Sequence, residues 1–328
     1  MAERNILFLY NKAIVPDPIL KTARTMLPEG FALTLCDNTA SIDARRELVS
    51  GADFVVLYGA GFDDVDVAQN VRLLQLLSAG YDRLDLNALA EANIPVADNG
   101  GANAQTVAEH TVLLMLAVLK KLPLHHNALV QGEWLGLSQG LSLRELCDKQ
   151  VGIIGFGRIG QRVARMVAGF SARPVYFDVR STPEPVAHVT EGLEAQQVEF
   201  GELLATSDIV TLHTPLNAAS KQLIGLAELK SMRSTAILIN TSRGGVVDQT
   251  ALEQTLASGG LAGAGLDVFA TEPLGPDSPL LSMSNVVVTP HVAGTTLDTW
   301  SRRLQFAYDN VQRVAAGEPA LSLIGPTP

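Results

Sequence analysis

Cysteine is nearly absent. Cys36 and Cys147 are the two in 328 residues, far apart and in no C-x-x-C pair. That excludes a disulfide scaffold and a thiolate metal knuckle, and it predicts two reduced thiols in a cytoplasmic protein. Basic charge is scarce as well: 24 Lys and Arg stand against 34 Asp and Glu, a formal net charge of −10. Lys120-Lys121 is only a doublet, so no nucleic-acid partner is expected. Long apolar runs are missing too. The longest, residues 112–119, stops at Lys120, far short of the roughly 20 residues that span a bilayer. Met1 to Asn5 leads straight into a strand-like run, with no secretory leader expected and no membrane partner. Histidine is thin and scattered. His125 and His126 are neighbours that point apart on any regular element, so no metal site is expected.

What remains is 47% hydrophobic and 18% charged, a chain able to bury a core and long enough for two domains. Strand-like runs at 6–10, 31–36, 54–58 and 73–77 alternate with helix-compatible segments at 17–27 and 44–49, which predicts a parallel sheet with helices on it. After the fourth strand comes Leu77-Ser78-Ala79-Gly80-Tyr81-Asp82. Ligands of open α/β sheets sit beyond the carboxyl ends of strands, so Ser78, Ala79 and Gly80 are a candidate cradle through their N–H groups, though an ordinary turn reads equally well. Asn99 to Asn103 is polar and glycine-rich, suited to a hinge. A helix at 103–121 follows, with Val107, Thr111, Leu114 and Val118 on one face and apolar residues nearly all round, as expected in a core or a subunit contact. Residues 122–149 hold few periodic signals.

Alternation resumes at 151. Strands are expected at 208–212, 236–239, 263–269 and 285–288, with helices at 227–232 and 250–258, a second doubly wound sheet. A last helix at 297–316 carries Trp300, Leu304, Ala307 and Val311 on one face. If it packs back on the first domain, the domains are 1–102 plus 293–328, and 103–292.

The second sheet opens on Val151-Gly152-Ile153-Ile154-Gly155-Phe156-Gly157-Arg158-Ile159-Gly160, a buried strand, a glycine turn and a helix start. The spacing is G-x-G-x-x-G. Gly155 permits the tight turn, Gly157 lets backbone approach a pyrophosphate, and Gly160 lets helix pack on strand. Val163, Met166, Val167 and Phe170 continue at helical spacing. The next strand ends at Asp178, about 20 residues past the glycines, where an acid grips the ribose hydroxyls of NAD. Arg180 is placed to meet a 2′-phosphate instead, but Asp178 would repel that group, so NAD is favoured over NADP.

Three polar residues follow later strand ends of the same sheet. Histidine is the side-chain type suited to proton transfer at physiological pH, so His291 can pass a proton. Glu272 beside it would favour the protonated imidazole and fix its tautomer. Arg243 offers a planar fork to a carboxylate. Singly each has a plainer reading: a hydrogen-bonded histidine, a Glu-Pro turn, a surface arginine. Together they point to hydride chemistry with one proton to handle.

With these pieces in order, the chain resembles the D-isomer-specific 2-hydroxyacid dehydrogenases over almost all its length. The likeness is carried by residues 103–110, the glycine turn with Asp178, 212–217, 239–244, 265–269 with Glu272-Pro273, and 289–294. The resemblance implies a flavodoxin-like substrate-binding domain and a Rossmann NAD-binding domain with a cleft between them, and a homodimer with the long helix in the contact. It implies His291 as general acid/base with Glu272 as its partner, and Arg243 holding the substrate carboxylate and polarising the 2-oxo carbonyl. Ser78, Ala79 and Gly80 would bind the carboxylate through backbone. Cofactor contacts would come from Thr106, Gly155, Gly157, Arg158, Ile159, Gly160, Asp178, His213, Thr214, Pro215, Thr241, Asp267 and Gly294, with Asp267 on the nicotinamide carboxamide. Glu272, where formate dehydrogenases place glutamine, selects the hydroxyacid branch: hydroxypyruvate or glyoxylate reductases, or phosphoglycerate-dehydrogenase-like chains without a regulatory tail. A dinucleotide-sensing corepressor of the same fold is the alternative, since such relatives keep the catalytic residues.

Overall fold

In a computed structural model of the chain, residues 3–180, 184–186 and 188–326 are described. Met1, Ala2, Thr327 and Pro328, which the expected first domain includes, lie outside them. The chain divides into two compact units, Met1–Asn103 with Thr295–Pro328, and Ala104–Gly294.

The first unit begins β1 (Arg4–Tyr10), α1 (Asp17–Thr25), β2 (Phe31–Asp37), α2 (Ile42–Ser50), β3 (Phe54–Tyr58), β4 (Leu74–Leu76), α3 (Leu86–Glu91) and β5 (Val96–Ala97). The second runs α4 (Ala104–Leu119), α5 (Leu122–Val130), α6 (Gly136–Gly140), β6 (Gln150–Ile154), α7 (Arg158–Gly169), β7 (Arg173–Phe177), β8 (Gln196–Gln197) and α8 (Phe200–Thr206). It continues through β9 (Ile209–Leu212), α9 (Leu226–Ser231), β10 (Ile237–Asn240), α10 (Gln249–Ala257), β11 (Gly263–Leu266) and β12 (Val286–Val288). The chain then returns to the first unit with α11 (Leu297–Ala315) and β13 (Leu323–Ile324).

The first sheet has the order β13-β5-β4-β3-β1-β2, parallel apart from β13, which pairs antiparallel with β5. Ile6, Phe8, Phe54 and Val56 line one face, and Trp300, Leu304, Ala307 and Val311 of α11 complete that core. The α11 stripe recurs every three or four residues, so one face of the helix is buried. Tyr308 anchors it from the same face, its hydroxyl donating to the Ala23 carbonyl at 2.8 Å.

The second sheet has the order β12-β11-β10-β9-β6-β7-β8, with every pair parallel. Its register puts the strand ends in a row: Phe177 pairs with Ile154, Ile154 with Leu212, Leu212 with Asn240, Asn240 with Leu266, and Leu266 with Val288. Strands lie about 4.8 Å apart, so six chain segments leave one sheet edge side by side. The order reverses between β6 and β9, the switch point where open α/β sheets hold ligands. Helix α4 covers β10 and β11. A Cβ at Gly265 would lie 3.0 Å from Leu114 Cβ, and one at Gly263 3.0 Å from Val118 Cγ1 and 2.4 Å from the Asn285 carbonyl oxygen. Glycine on β11 thus lets the long helix sit close on the sheet.

Candidate active site

The glycine turn, Asp178, His213, Thr241, Arg243, Asp267, Glu272 and His291 follow the strand ends along that edge. Gly155 leaves β6 at φ +91°, and a Cβ there would stand 2.6 Å from the His213 carbonyl oxygen. A Cβ on Gly160 would stand 2.2 Å from the Gly155 carbonyl oxygen. Both positions therefore exclude a side chain. At Gly157, among the described residues, nothing lies nearer to a would-be Cβ than Arg180 Nη2 at 3.9 Å, which leaves room for an approaching group. Gly157 is also the N-cap of α7 and no side chain caps that helix, which leaves N–H donors and the positive dipole end for an anion. Arg158 and Ile159 form the first turn. These are the features a dinucleotide pyrophosphate needs, and the residues fit it.

At the β7 exit Asp178 is 8% exposed. It accepts from the Phe156 N–H at 2.8 Å and the Arg180 N–H at 3.0 Å, and its two oxygens also receive Arg180 Nε at 2.9 Å and Nη2 at 3.0 Å. Burial raises the Asp178 carboxyl, but these bonds and the Arg180 charge outweigh it and hold the group below the usual carboxylate range. After β9, His213 is joined through Nε2 to Thr211 Oγ1 at 3.0 Å, and its buried Nδ1 has no partner among the described residues. Burial pushes this imidazole down to about 3, so it stays neutral against the cofactor side. Thr214 and Pro215 continue the same loop. Thr241, after β10, bonds Thr111 of α4 at 2.8 Å, and Thr106 is buried one turn earlier on that helix.

The chemistry end lies beyond β10, β11 and β12. Asn240, 1% exposed, folds the β10 exit: its Oδ1 accepts from the Ser242 N–H at 3.0 Å and its Nδ2 donates to the Arg243 carbonyl at 3.0 Å. Gly244 then passes so close to the β11 exit that a Cβ would meet Phe269 backbone atoms at 1.9 Å. That close approach sets Arg243 against the Phe269 to Glu272 turn. Arg243 Nη1 donates to the Ser242 carbonyl at 2.8 Å.

Asp267, at 1% exposure, organises the segment after β12. Its Oδ1 accepts from Thr289 Oγ1 at 2.6 Å and the Val292 N–H at 2.9 Å, and its Oδ2 from the Ala293 N–H at 2.9 Å. His110 on α4 joins through Nε2 to Thr289 Oγ1 at 2.9 Å. His291 stands inside this frame at φ +54°, a left-handed conformation uncommon outside glycine, with its N–H on the Asp267 carbonyl at 2.9 Å. Its Nδ1 meets Glu272 Oε2 at 2.6 Å, while Glu272 Oε1 accepts from the Phe269 N–H at 3.1 Å. Burial raises the Glu272 carboxyl, but the His291 bond and charge, the Phe269 N–H and nearby Arg243 together keep it below its usual range. At neutral pH it is an acceptor only, so Nδ1 carries the hydrogen and the Nε2 of His291 is left for chemistry.

The family model described as D-isomer specific 2-hydroxyacid dehydrogenase, NAD binding domain, matches residues 112–293, which contain this whole edge. The chain belongs to the D-isomer-specific 2-hydroxyacid dehydrogenase family. A glyoxylate reductase of Korarchaeum cryptofilum is 34% identical over 320 residues, 95% of each chain. A D-3-phosphoglycerate dehydrogenase of Archaeoglobus fulgidus is 32% identical over 317 residues, 95% of this chain and 59% of that one. Among solved structures, the NAD-complexed D-isomer specific 2-hydroxyacid dehydrogenase of Lactobacillus delbrueckii ssp. bulgaricus superposes with a TM-score of 0.79 at 26% identity, covering 98% of this chain and 100% of that one. This family member is therefore an NAD-dependent oxidoreductase that interconverts a 2-oxo acid and a D-2-hydroxy acid, and the glycine turn lies within the part of the chain that matches the family's NAD-binding domain.

Ser78, Ala79 and Gly80 follow β4 in the first unit, half-buried, with Ser78 Oγ donating to the Gly80 carbonyl at 2.8 Å. Sequence reasoning missed Asn240, Gly244, Thr289 and His110 as positioning groups. Asn240 had a legible signal, an amide at a strand end before a turn. The other three act through contacts between distant segments, which spacing does not reveal.

Proposed function

We propose that the chain reduces a short 2-oxo acid of the glyoxylate or hydroxypyruvate kind with NADH, with His291 as proton donor. The observation that carries this is the 2.6 Å pairing of His291 Nδ1 with a carboxylate at the β12 exit. When bound, the nicotinamide supplies the hydride chemistry, and the chain's own residues handle the carboxylate and the proton. Glu272 holds the imidazole by Nδ1, so Nε2 gives a proton to the carbonyl oxygen in reduction and takes it back in oxidation. Arg243 presents its fork to the substrate carboxylate and its charge to the carbonyl. Asp267 Oδ2, with one N–H on it, keeps acceptor capacity for the nicotinamide carboxamide.

The relatives named glyoxylate reductase and hydroxypyruvate reductase support the substrate class. Purified protein mixed with NADH and glyoxylate, hydroxypyruvate, pyruvate or longer 2-oxo acids tests it. The smallest acids should oxidise NADH fastest, and a preference for bulky acids sinks the assignment. The chain works as a cytoplasmic homodimer. The support is a set of exposed apolar side chains in and between α4, α5 and α6, with Trp134 86% and Leu137 94% exposed and Leu113, Leu129 and Val130 also open to water, the kind of surface that a subunit contact covers. Sedimentation at micromolar concentration should give twice the 34.8 kDa chain mass. A single-chain species there removes the dimer.

A further inference from the structure

We infer that Arg180 makes the adenosine end of this site take a 2′-phosphorylated dinucleotide, NADP(H), as well as NAD(H). An acid at the end of the second Rossmann strand selects NAD by accepting from the ribose hydroxyls, and a nearby arginine accommodates a 2′-phosphate. In this chain the acid is already occupied. A carboxylate has about four acceptor positions, and Asp178 receives four N–H donors: two backbone groups and two from the Arg180 guanidinium. No acceptor position is left for a ribose hydroxyl unless Arg180 withdraws. The negative charge that would repel a phosphate is matched by a positive one in bidentate contact.

The arginine is also placed to do more than neutralise. Guanidinium has five N–H donors in a fixed fork, and Asp178 takes only Nε and Nη2. Nη1 makes neither of those bonds. The Arg180 side chain is 54% exposed, and its Nη2 hangs 3.9 Å from the Cβ position of Gly157, over the start of α7. The turn that aims it is fixed from β8, where Gln197 Nε2 donates to the carbonyls of Asp178 at 3.2 Å and Arg180 at 3.3 Å. Arg158 at the head of α7 adds positive charge. Glu184 adds negative charge near Arg180, and Glu199 and Glu202 line the hollow on the β8 side of Asp178. The phosphate is therefore received on the α7 side, where the guanidinium faces the glycine turn.

This rests on the dinucleotide site alone and not on which acid is reduced, so it is tested by binding with no acid present. Wild type, Arg180→Ala and Arg180→Lys are titrated with NADPH and NADH by nucleotide fluorescence, and with 2′,5′-ADP and 5′-AMP as competitors. Wild type should bind NADPH within roughly tenfold of NADH. Arg180→Ala should weaken NADPH and 2′,5′-ADP by about 10- to 100-fold, the worth of charge-assisted hydrogen bonds. It should leave NADH and 5′-AMP within a few-fold or tighten them, because Asp178 is released. Arg180→Lys, which keeps charge without the fork, should fall between. Equal weakening of both nucleotides by Arg180→Ala would make the residue merely structural and overturn the inference. So would a wild type that prefers NADH more than about a hundredfold, a preference that Arg180→Ala leaves unchanged.

Discussion

The two units are built alike and differ where the first strand gives way to the first helix. Each has a parallel sheet with crossover helices and a switch point beside its first strand. In the first unit six residues, 11–16, separate β1 from α1, and Asn11 closes them, its Oδ1 accepting from the Ala13 N–H at 2.9 Å. The helix then starts with Asp17 in its first turn, which satisfies the positive dipole end and repels a phosphate. In the second unit three residues, 155–157, separate β6 from α7, and the first turn holds Arg158 and no acid. The same architecture thus offers a pyrophosphate an uncapped, acid-free helix start in one unit and a helix start bearing an acid in the other, through a three-residue glycine turn and one charge. Fold class says little here about chemistry; the turn and the strand ends say it.

The comparison breaks most sharply if the edge of the second sheet proves dispensable. Replacing His291 with alanine should lower kcat by a factor of roughly 10²–10⁴, the usual worth of a positioned proton donor, while NADH binding holds. Turnover like wild type would move the acid/base elsewhere. Arg243→Lys should act next most strongly, cutting kcat/KM for the 2-oxo acid by on the order of 10- to 100-fold, because an ammonium cannot make the bidentate contact. An unchanged kcat/KM with steady-state assays over a substrate range would remove Arg243 from carboxylate binding.

A matched pair of glycine substitutions sharpens the comparison at lower cost to the protein. Gly155 has φ +91° and backbone 2.6 Å from a would-be Cβ, whereas Gly30 in the first unit has φ +83° and open space around it. Alanine at either position is strained by about 1–2 kcal/mol for the left-handed backbone. Only Gly155→Ala adds overpacking of about 1–3 kcal/mol, and only it should raise the NAD dissociation constant, roughly tenfold. Calorimetric titration reads this directly. Equal effects of the two on NAD affinity would mean that the turn is not the cradle.

How much of this was legible follows from what each signal depends on. Strand 54–58 was readable as an unbroken apolar run, buried on both faces, and helix α11 because its apolar residues recur on one face, where Trp300, Leu304, Ala307 and Val311 are all in the core. The glycine turn was readable because its steric demands fix a spacing. The two-residue strands β5, β8 and β13 were not, since two residues carry no period and Gln196-Gln197 is polar and exposed. Helix α5 was missed within a stretch that lacked a one-sided pattern: Leu122 and Leu129 lie exposed beside buried Ala128. The expected strand 263–269 is shorter, ending at Leu266, because Asp267 turns its side chain to bind the segment around His291. At the site, Arg243, Glu272 and His291 could be named from strand ends. The four donors on Asp178 could not, because a side chain two residues away has several rotamers and only packing chooses one.

That Asp178–Arg180 pair also sets the smallest effect, one confined to the second unit. The Asp178 carboxyl lies below its usual range in the folded protein, so the pair's contribution to stability is present above the unfolded value near 3.9 and is lost as pH falls through the lower folded value. Arg180 is more than half exposed, so the contribution is on the order of 0.5–1 kcal/mol, or about 1–4 °C for a unit of this size. Arg180→Ala should therefore melt slightly lower than wild type, by a constant margin between pH 5 and pH 7. The margin should close as the pH drops below about 4, where the unfolded chain takes up the proton first. Scanning calorimetry of both proteins across that range checks the sign. A margin that widens on acidification would mean that Arg180 acts on stability through something other than the ionised Asp178.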